Sequence, residues 1–198
     1  MAEEVRIVVD IDRILADLET CTQAMETMRP IVSDGTLLKK FDRNYSANVV
    51  ICLQDILRDH AIMTLCRMWD TDKDTQSIPS VMCSLPSKDS NKASHQKHDQ
   101  VVRVVNMMSK SARLKQLRNW RDKYLGHALK TTRLEKSKGT NIVDPIWDDI
   151  FVLYRRTGVV VEALTAVAAD CSIDHIENRG YRARDAEAFW GSFINQPK

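Results

Sequence analysis

The sequence predicts an all-α protein, an up-and-down helical bundle, and three observations predict it. Two long segments, 7–28 and 146–171, carry apolar residues at alternating spacings of four and three, the period of one helix face. Only six Gly and five Pro occur in 198 residues, too few turn formers for a chain of many short strands. Hydrophobic residues make up 43% and charged residues 28%, the balance of a globular chain with its own core. The length suits one domain over 1–198, with a long loop at 131–145 and a C-terminal appendage at 172–198 that carries a short helix. No internal repeat is visible.

The elements follow in order. Ile7, Ile11, Ile14, Leu18, Cys21, Met25 and Met28 mark the first helix, which Pro30 is expected to end. A polar segment with Asp34-Gly35 leads to a second helix from about Ser46 to about Asp70. Val49, Leu53, Ile56, His60, Met63 and Arg67 fall along one of its faces, with Val50, Leu57, Thr64 and Met68 beside them. His60 on such a face is expected to be a core histidine with its hydrogen bonds satisfied. The turn-rich Thr71-Asp72-Lys73-Asp74-Thr75-Gln76 precedes a short helix capped at Ser77. Pro86-Ser87-Lys88-Asp89-Ser90-Asn91 reads as a loop or a helix start.

Helix is predicted from about His98 to Ser109 and from about Ala112 to Leu129, with a break near Ser109-Lys110-Ser111. Pro145 suits the first turn of a helix capped by Asp144, and Asp148 and Asp149 suit the same turn through the helix dipole. Ile146, Ile150, Leu153, Thr157, Val160, Leu164, Val167 and Cys171 continue that helix across Gly158 without a change of phase. The run Val159-Val160-Val161 is therefore read as helix rather than strand. A final short helix spans about 184–193 and carries Phe189, Trp190 and Phe193. The stripes are wide enough for a monomer core and leave open whether one face serves a dimer.

Several function classes lose support. The five cysteines, at 21, 52, 66, 83 and 171, are odd in number and show no CxxC spacing. Most sit in apolar helical patterns, as free thiols do in a reducing, intracellular compartment. With no HExxH, GxGxxG or Walker pattern, neither a metal nor a cofactor is expected. His95 and His98 lie in a polar stretch and are expected to be exposed. The N-terminal MAEEVRIVVDIDR lacks the apolar core of a signal peptide, and no run of 18 apolar residues occurs. A cytoplasmic location without a membrane contact is the expectation.

Charge is distributed unevenly. Between Arg103 and Lys138 lie eleven basic residues and two acidic ones, Asp122 and Glu135, so the segment is +9 while the remainder of the chain is −7. Such a field steers polyanions to one place, although a charge run also serves as a solvated helix face. Arg118, Lys123, Tyr124 and Lys130 are the candidate RNA contacts. Trp120 and Tyr124, four residues apart, can stack on bases or belong to the core, and core is the expectation for Trp120.

The segment Arg121-Asp122-Lys123-Tyr124-Leu125-Gly126-His127 is an Arg, a polar residue, four further residues and a His. It resembles the Arg-x(4–6)-His motif of HEPN domains, here with five intervening residues. Leu117-Arg118-Asn119-Trp120 and Ala128 fit the style of that family's third long helix. Leu65-Cys66-Arg67-Met68-Trp69-Asp70, followed by Asp72-Lys73-Asp74 and Ser77-Ile78-Pro79, is similar to the AbiU-type abortive-infection branch. The resemblance implies a helical bundle that dimerises, with Arg121 and His127 of both protomers near the dimer groove. It further implies a metal-independent endoribonuclease of a toxin–antitoxin, abortive-infection or defence system, with an antitoxin protein as a possible partner. Asp122 matches the family's polar second position, where it would orient Arg121 or His127. One departure limits the carry-over: a subset of HEPN toxins has a modifiable Tyr two residues after the His, and here that residue is Leu129.

The chemistry stands on physical grounds. RNA breaks without a metal when its 2′-OH attacks the neighbouring phosphorus. The reaction needs a proton acceptor, a proton donor at the 5′ oxygen, and positive charge on the phosphorane. His127 titrates near neutral pH, and Arg121 offers a charged, planar fork of donors. On an ideal helix, however, six steps of about 100° leave these two residues about 120° apart. A loosening of the helix at Gly126 combined with a partner protomer is the expected remedy. The bland alternative is that His127 caps a helix end while Arg121 makes a surface ion pair. Arg67 and Asp70 either pair on the surface or support the site from the second helix. At the level of function, the alternatives are a catalytically silent HEPN module that binds RNA, a nucleotide or a protein, and a purely structural helical adaptor.

Overall fold

The computed structural model describes residues 2–33, 37, 39, 41, 46–72, 74–85, 92–125, 145–168 and 174–194. Among the described residues there are seven α-helices and no strand. They are α1 (Ala2–Ser33), α2 (Ser46–Met68), α3 (Ile78–Ser84), α4 (Lys92–Ser109), α5 (Ala112–Trp120), α6 (Trp147–Ala168) and α7 (His175–Ile194). A π-helical turn, Arg121–Leu125, continues α5. The all-α bundle read from the sequence is therefore the architecture found. Asp34-Gly35, Pro86–Asn91, Gly126, Asp144, Cys171 and the loop expected at 131–145, except Pro145, lie outside the described residues.

The central helix is α1, and its whole predicted stripe from Ile7 to Met28 is buried. Pro30 does not end it. The helix runs on to Ser33 with Pro30 inside. A proline in the last turn removes one hydrogen bond, while burial of Ile31 holds that turn against the core. Helix α2 runs antiparallel to α1: Val50 joins Met28 and Ile31 at one end, and Arg67 meets Asp17 towards the other. Its inward face is Val50, Ala61, Ile62, Thr64, Leu65, Cys66 and Met68. The neighbouring stripe through Val49, Ile56 and Met63 is exposed, and His60, expected in the core, is exposed with it.

The breaks are set by small caps. Ser77 caps α3 by accepting from the Ser80 N–H, and Ser111 caps α5 by accepting from the Leu114 N–H, so the expected interruption between α4 and α5 is present. His98, expected to be exposed, is half-buried with Nδ1 3.7 Å from Asp99. Helix α6 starts two residues after Pro145, with Ile146 exposed rather than on the core stripe and its carbonyl accepting from the Asp149 and Ile150 N–H groups.

The largest correction concerns the C-terminal segment. Instead of a short helix over about 184–193, α7 spans twenty residues and lies along α1. Its first half is too charged to show an apolar stripe, and long-range ion pairs hold it. Glu19 accepts from Asn178 and Arg182, while Glu26, fully buried, accepts from Arg179 at 2.9 Å. Trp190 closes a second core cluster with Phe41 and donates to the Thr27 carbonyl at 2.7 Å.

Candidate functional site

The stretch Arg67-Met68-Trp69-Asp70 at the end of α2 is a junction of four helices. Arg67 turns to α1 and holds the buried carboxylate of Asp17 through two hydrogen bonds of 2.7 and 2.6 Å. That hydrogen bonding raises the Arg67 pKa above its ordinary value, against a smaller opposing effect of burial. Trp69 is fully buried and donates from its indole to Thr157 of α6 at 2.8 Å; Thr157 in turn donates to the Leu153 carbonyl. Arg118 of α5 donates to the Trp69 carbonyl oxygen, where its charge also suits the negative end of α2. The Asp70 carbonyl accepts from Ser77 at 2.7 Å, and its carboxylate accepts from the Asp72 N–H at 3.1 Å.

Arg121 sits beside this junction. It opens the π turn, with Nε 2.7 Å and Nη2 2.7 Å from Asp122 Oδ1. Its Nη1 lies 4.0 Å from Asp70 Oδ2, the outer limit of an ion pair. Partial burial works against the charge of Arg121, but Asp122 and the surrounding negative groups outweigh it and raise the pKa above the ordinary value. Cys66, beneath the turn, is a thiol rather than a thiolate, because burial pushes its pKa up to about 12 despite the neighbouring Arg121 and Arg118. Trp120 and Tyr124 stack on each other at 4.3 Å, with the Trp120 ring half-buried against the core and Tyr124 exposed. Arg58 of α2 covers the Trp120 ring at 6.0 Å.

The structure thus brings together Arg118, Arg121, Asp122 and Asp70. Arg67 is not part of that group and does not pair with Asp70. Its two-pronged geometry suits the planar carboxylate of Asp17, and this draws the side chain to α1. Arg118 has one nitrogen committed to the Trp69 carbonyl, so an RNA contact is left to its other donors. Lys123 is half-buried on the same turn. His127 and Lys130 lie outside the described residues. The loosening expected at Gly126 falls outside the described residues; among the described ones, Arg121–Leu125 already depart from α geometry. Turns of this kind recur at functional sites. Asp17 escaped the sequence reading, and Thr157 was read only as a member of its helix stripe, because nothing local marks a partner 50 or 88 positions away.

An all-α bundle in which an arginine and an adjacent carboxylate precede a histidine in the chain is similar to the HEPN class. The sequence matches the AbiU2 family of HEPN domains over residues 5–189, and the chain belongs to that family. Comparison with curated proteins and with solved structures gives no match. No helix among the described residues is long and apolar enough to cross a membrane.

Proposed function

We propose that this protein is a homodimeric endoribonuclease of an abortive-infection or related defence system, cutting RNA without a metal. Membership of the AbiU2 family supports the defence setting. The observation that carries the reading is the posture of Arg121, whose Nε and Nη2 are both fixed on Asp122 and whose Nη1, among the described residues, makes a long contact with Asp70. A phosphate oxygen replaces that long contact, and Asp122 keeps the guanidinium aimed while it does so. The +9 segment supplies the field that gathers RNA.

In this reading, His127 accepts the proton of the 2′-OH as the 2′ oxygen attacks phosphorus. The 5′ oxygen leaves with a proton from a general acid, giving a 2′,3′-cyclic phosphate and a 5′-OH. Arg121 neutralises the phosphorane oxygens, and Asp122 acts as its positioning residue. Support for a dimer comes from α2, where Val49, Ile56 and Met63 recur every seven residues with Leu53 and His60 between them. The first three are 67%, 58% and 43% exposed. This seam runs towards Arg67 at the end of α2, which leads into Asp70, and Arg121 lies 4.0 Å from Asp70.

The test is cleavage of a mixed single-stranded RNA in EDTA by wild type, Arg121→Ala and His127→Ala. The expected result is cyclic-phosphate ends from wild type and a loss of about 10²–10³ in rate for Arg121→Ala. Equal activity in all three proteins refutes the assignment. Salt-sensitive binding without cleavage by wild type replaces it with a silent RNA-binding module.

A further inference from the structure

The face shared by α4 and α6 carries a feature that the ribonuclease reading does not use. Val104, Met107 and Met108 of α4 and Val159 and Val160 of α6 line an open groove of about 310 Å3, walled by Arg155 and Arg156. Val104, Met107 and Val159 are 39%, 63% and 58% exposed. No carboxylate is among the lining residues, and both of its charged members, Arg155 and Arg156, are exposed cations. An apolar trough with a rim of one charge sign is therefore presented to solvent.

We propose that this groove docks an acidic amphipathic helix of another protein. A trough between two packed helices has the shape that accepts the apolar ridge of a third. The two arginines call for carboxylates flanking that ridge, and the two methionines let the floor adjust to its side chains.

Other occupants fit less well. A two-fold contact between copies of this chain would set Arg155 and Arg156 against their own counterparts. The chain's own segment 126–144 carries Lys130, Arg133, Lys136 and Lys138 against only Glu135 and Asp144, the wrong sign for the rim. RNA would meet a floor with no aromatic ring to stack on. A bilayer would need the apolar groups to protrude rather than line a recess. The inference stands apart from the Arg121 site and survives if that assignment fails.

The probe is a synthetic helix of about 18 residues, with leucines along one stripe and glutamates flanking it, titrated into the full chain by fluorescence anisotropy. A version with lysines in place of the glutamates is the control. Saturable binding of the acidic peptide alone is expected, weakening with salt. Arg155→Glu combined with Arg156→Glu should weaken it about ten-fold and favour the lysine peptide instead. Met107→Asp should also cost about ten-fold. Should Met107→Asp fail to fold, the exposed arginine pair still decides the matter. Equal binding by wild type and the charge-reversed pair overturns the proposal, as does no binding at about 1 mM peptide. Vesicles of phosphatidylglycerol and phosphatidylcholine should leave the protein in solution. Capture by them that the acidic peptide cannot compete away overturns it in favour of a lipid surface.

Discussion

Gly158 lies in the middle of α6, and the structure sets a sharp penalty on replacing it. A Cβ built there falls 2.1 Å from His175 Cδ2 and 2.3 Å from Nε2, where ordinary contact begins at 3.4 Å. The imidazole is buried, so it yields only by displacing its neighbours. Its own backbone N–H donates to Glu162 at 2.6 Å, and its ring packs edge-on against Tyr154 at 5.5 Å. Against an alanine stand about 1–3 kcal/mol for overpacking, at the upper end because the clash is with the body of a buried ring. In its favour stands about 1 kcal/mol of helix propensity. Gly158→Ala should therefore destabilise by about 2 kcal/mol, lowering the melting temperature by about 4–8 °C for a chain of this size. The measurement is urea and thermal unfolding of Gly158→Ala in the wild-type and His175→Ala backgrounds. With the imidazole gone the clash vanishes and propensity remains, so Gly158→Ala should become stabilising by up to about 1 kcal/mol. The same loss in both backgrounds refutes the reasoning.

Four other expectations follow from the structure. Arg67→Ala should cost about 1–2 kcal/mol in urea unfolding, below the ~3–5 of a fully buried pair, because Arg67 is half exposed and Arg13 lies 3.7 Å from the same Asp17 carboxylate; adding Asp17→Asn should recover part of the loss. Burial, and then the charge of Arg179, hold His175 below its ordinary pKa of 6.5. The unfolded chain then binds its proton first, so stability is full above about pH 6.5 and falls as pH drops below it, and His175→Gln should flatten that fall in unfolding midpoints measured from pH 8 to 5.5. Glu19 adds a separate loss at lower pH. Hydrogen bonds from Asn178 and Arg182 outweigh burial and hold its carboxyl below its usual value, so its contribution disappears as protonation breaks those contacts. On the α2 face, Ile56→Asp with Met63→Asp should shift sedimentation from dimer to monomer while leaving the helical circular dichroism unchanged; a dimer that persists excludes this seam.

How much was legible depended on whether a residue's partner was near in the chain. Helices α1 and α6 could be read because each carries one dominant stripe and that stripe is the core face. Helix α2 carries two parallel stripes, and periodicity reports their spacing without saying which turns inward. Its rotation is set by Arg67 on Asp17 and Trp69 on Thr157, contacts between distant helices. The early turns of α7 have no apolar stripe to find, since Glu19 and Glu26 hold them from more than 150 positions away. Arg121 and Asp122 could be named because motif and contact are adjacent; the π turn could not, because no local propensity distinguishes it from the α-helix before it.

This difference separates the two signatures that carried the family resemblance. The Arg67–Asp70 stretch touches α1, α5, α6 and the cap of α3, and its side chains hold those elements in register around Trp69. Among the described residues, the charged partners of Arg121 are ones that a ligand can replace or share: one neighbouring carboxylate and one at 4.0 Å. A chain that keeps the first signature and loses the second should still hold these helices around Trp69, while losing the group to which the proposed chemistry is assigned. The reverse loss would leave Arg121 without the surface that presents it. Retention of the α2 signature therefore argues for the fold, and only the fate of Arg121 and His127 under substitution argues for catalysis.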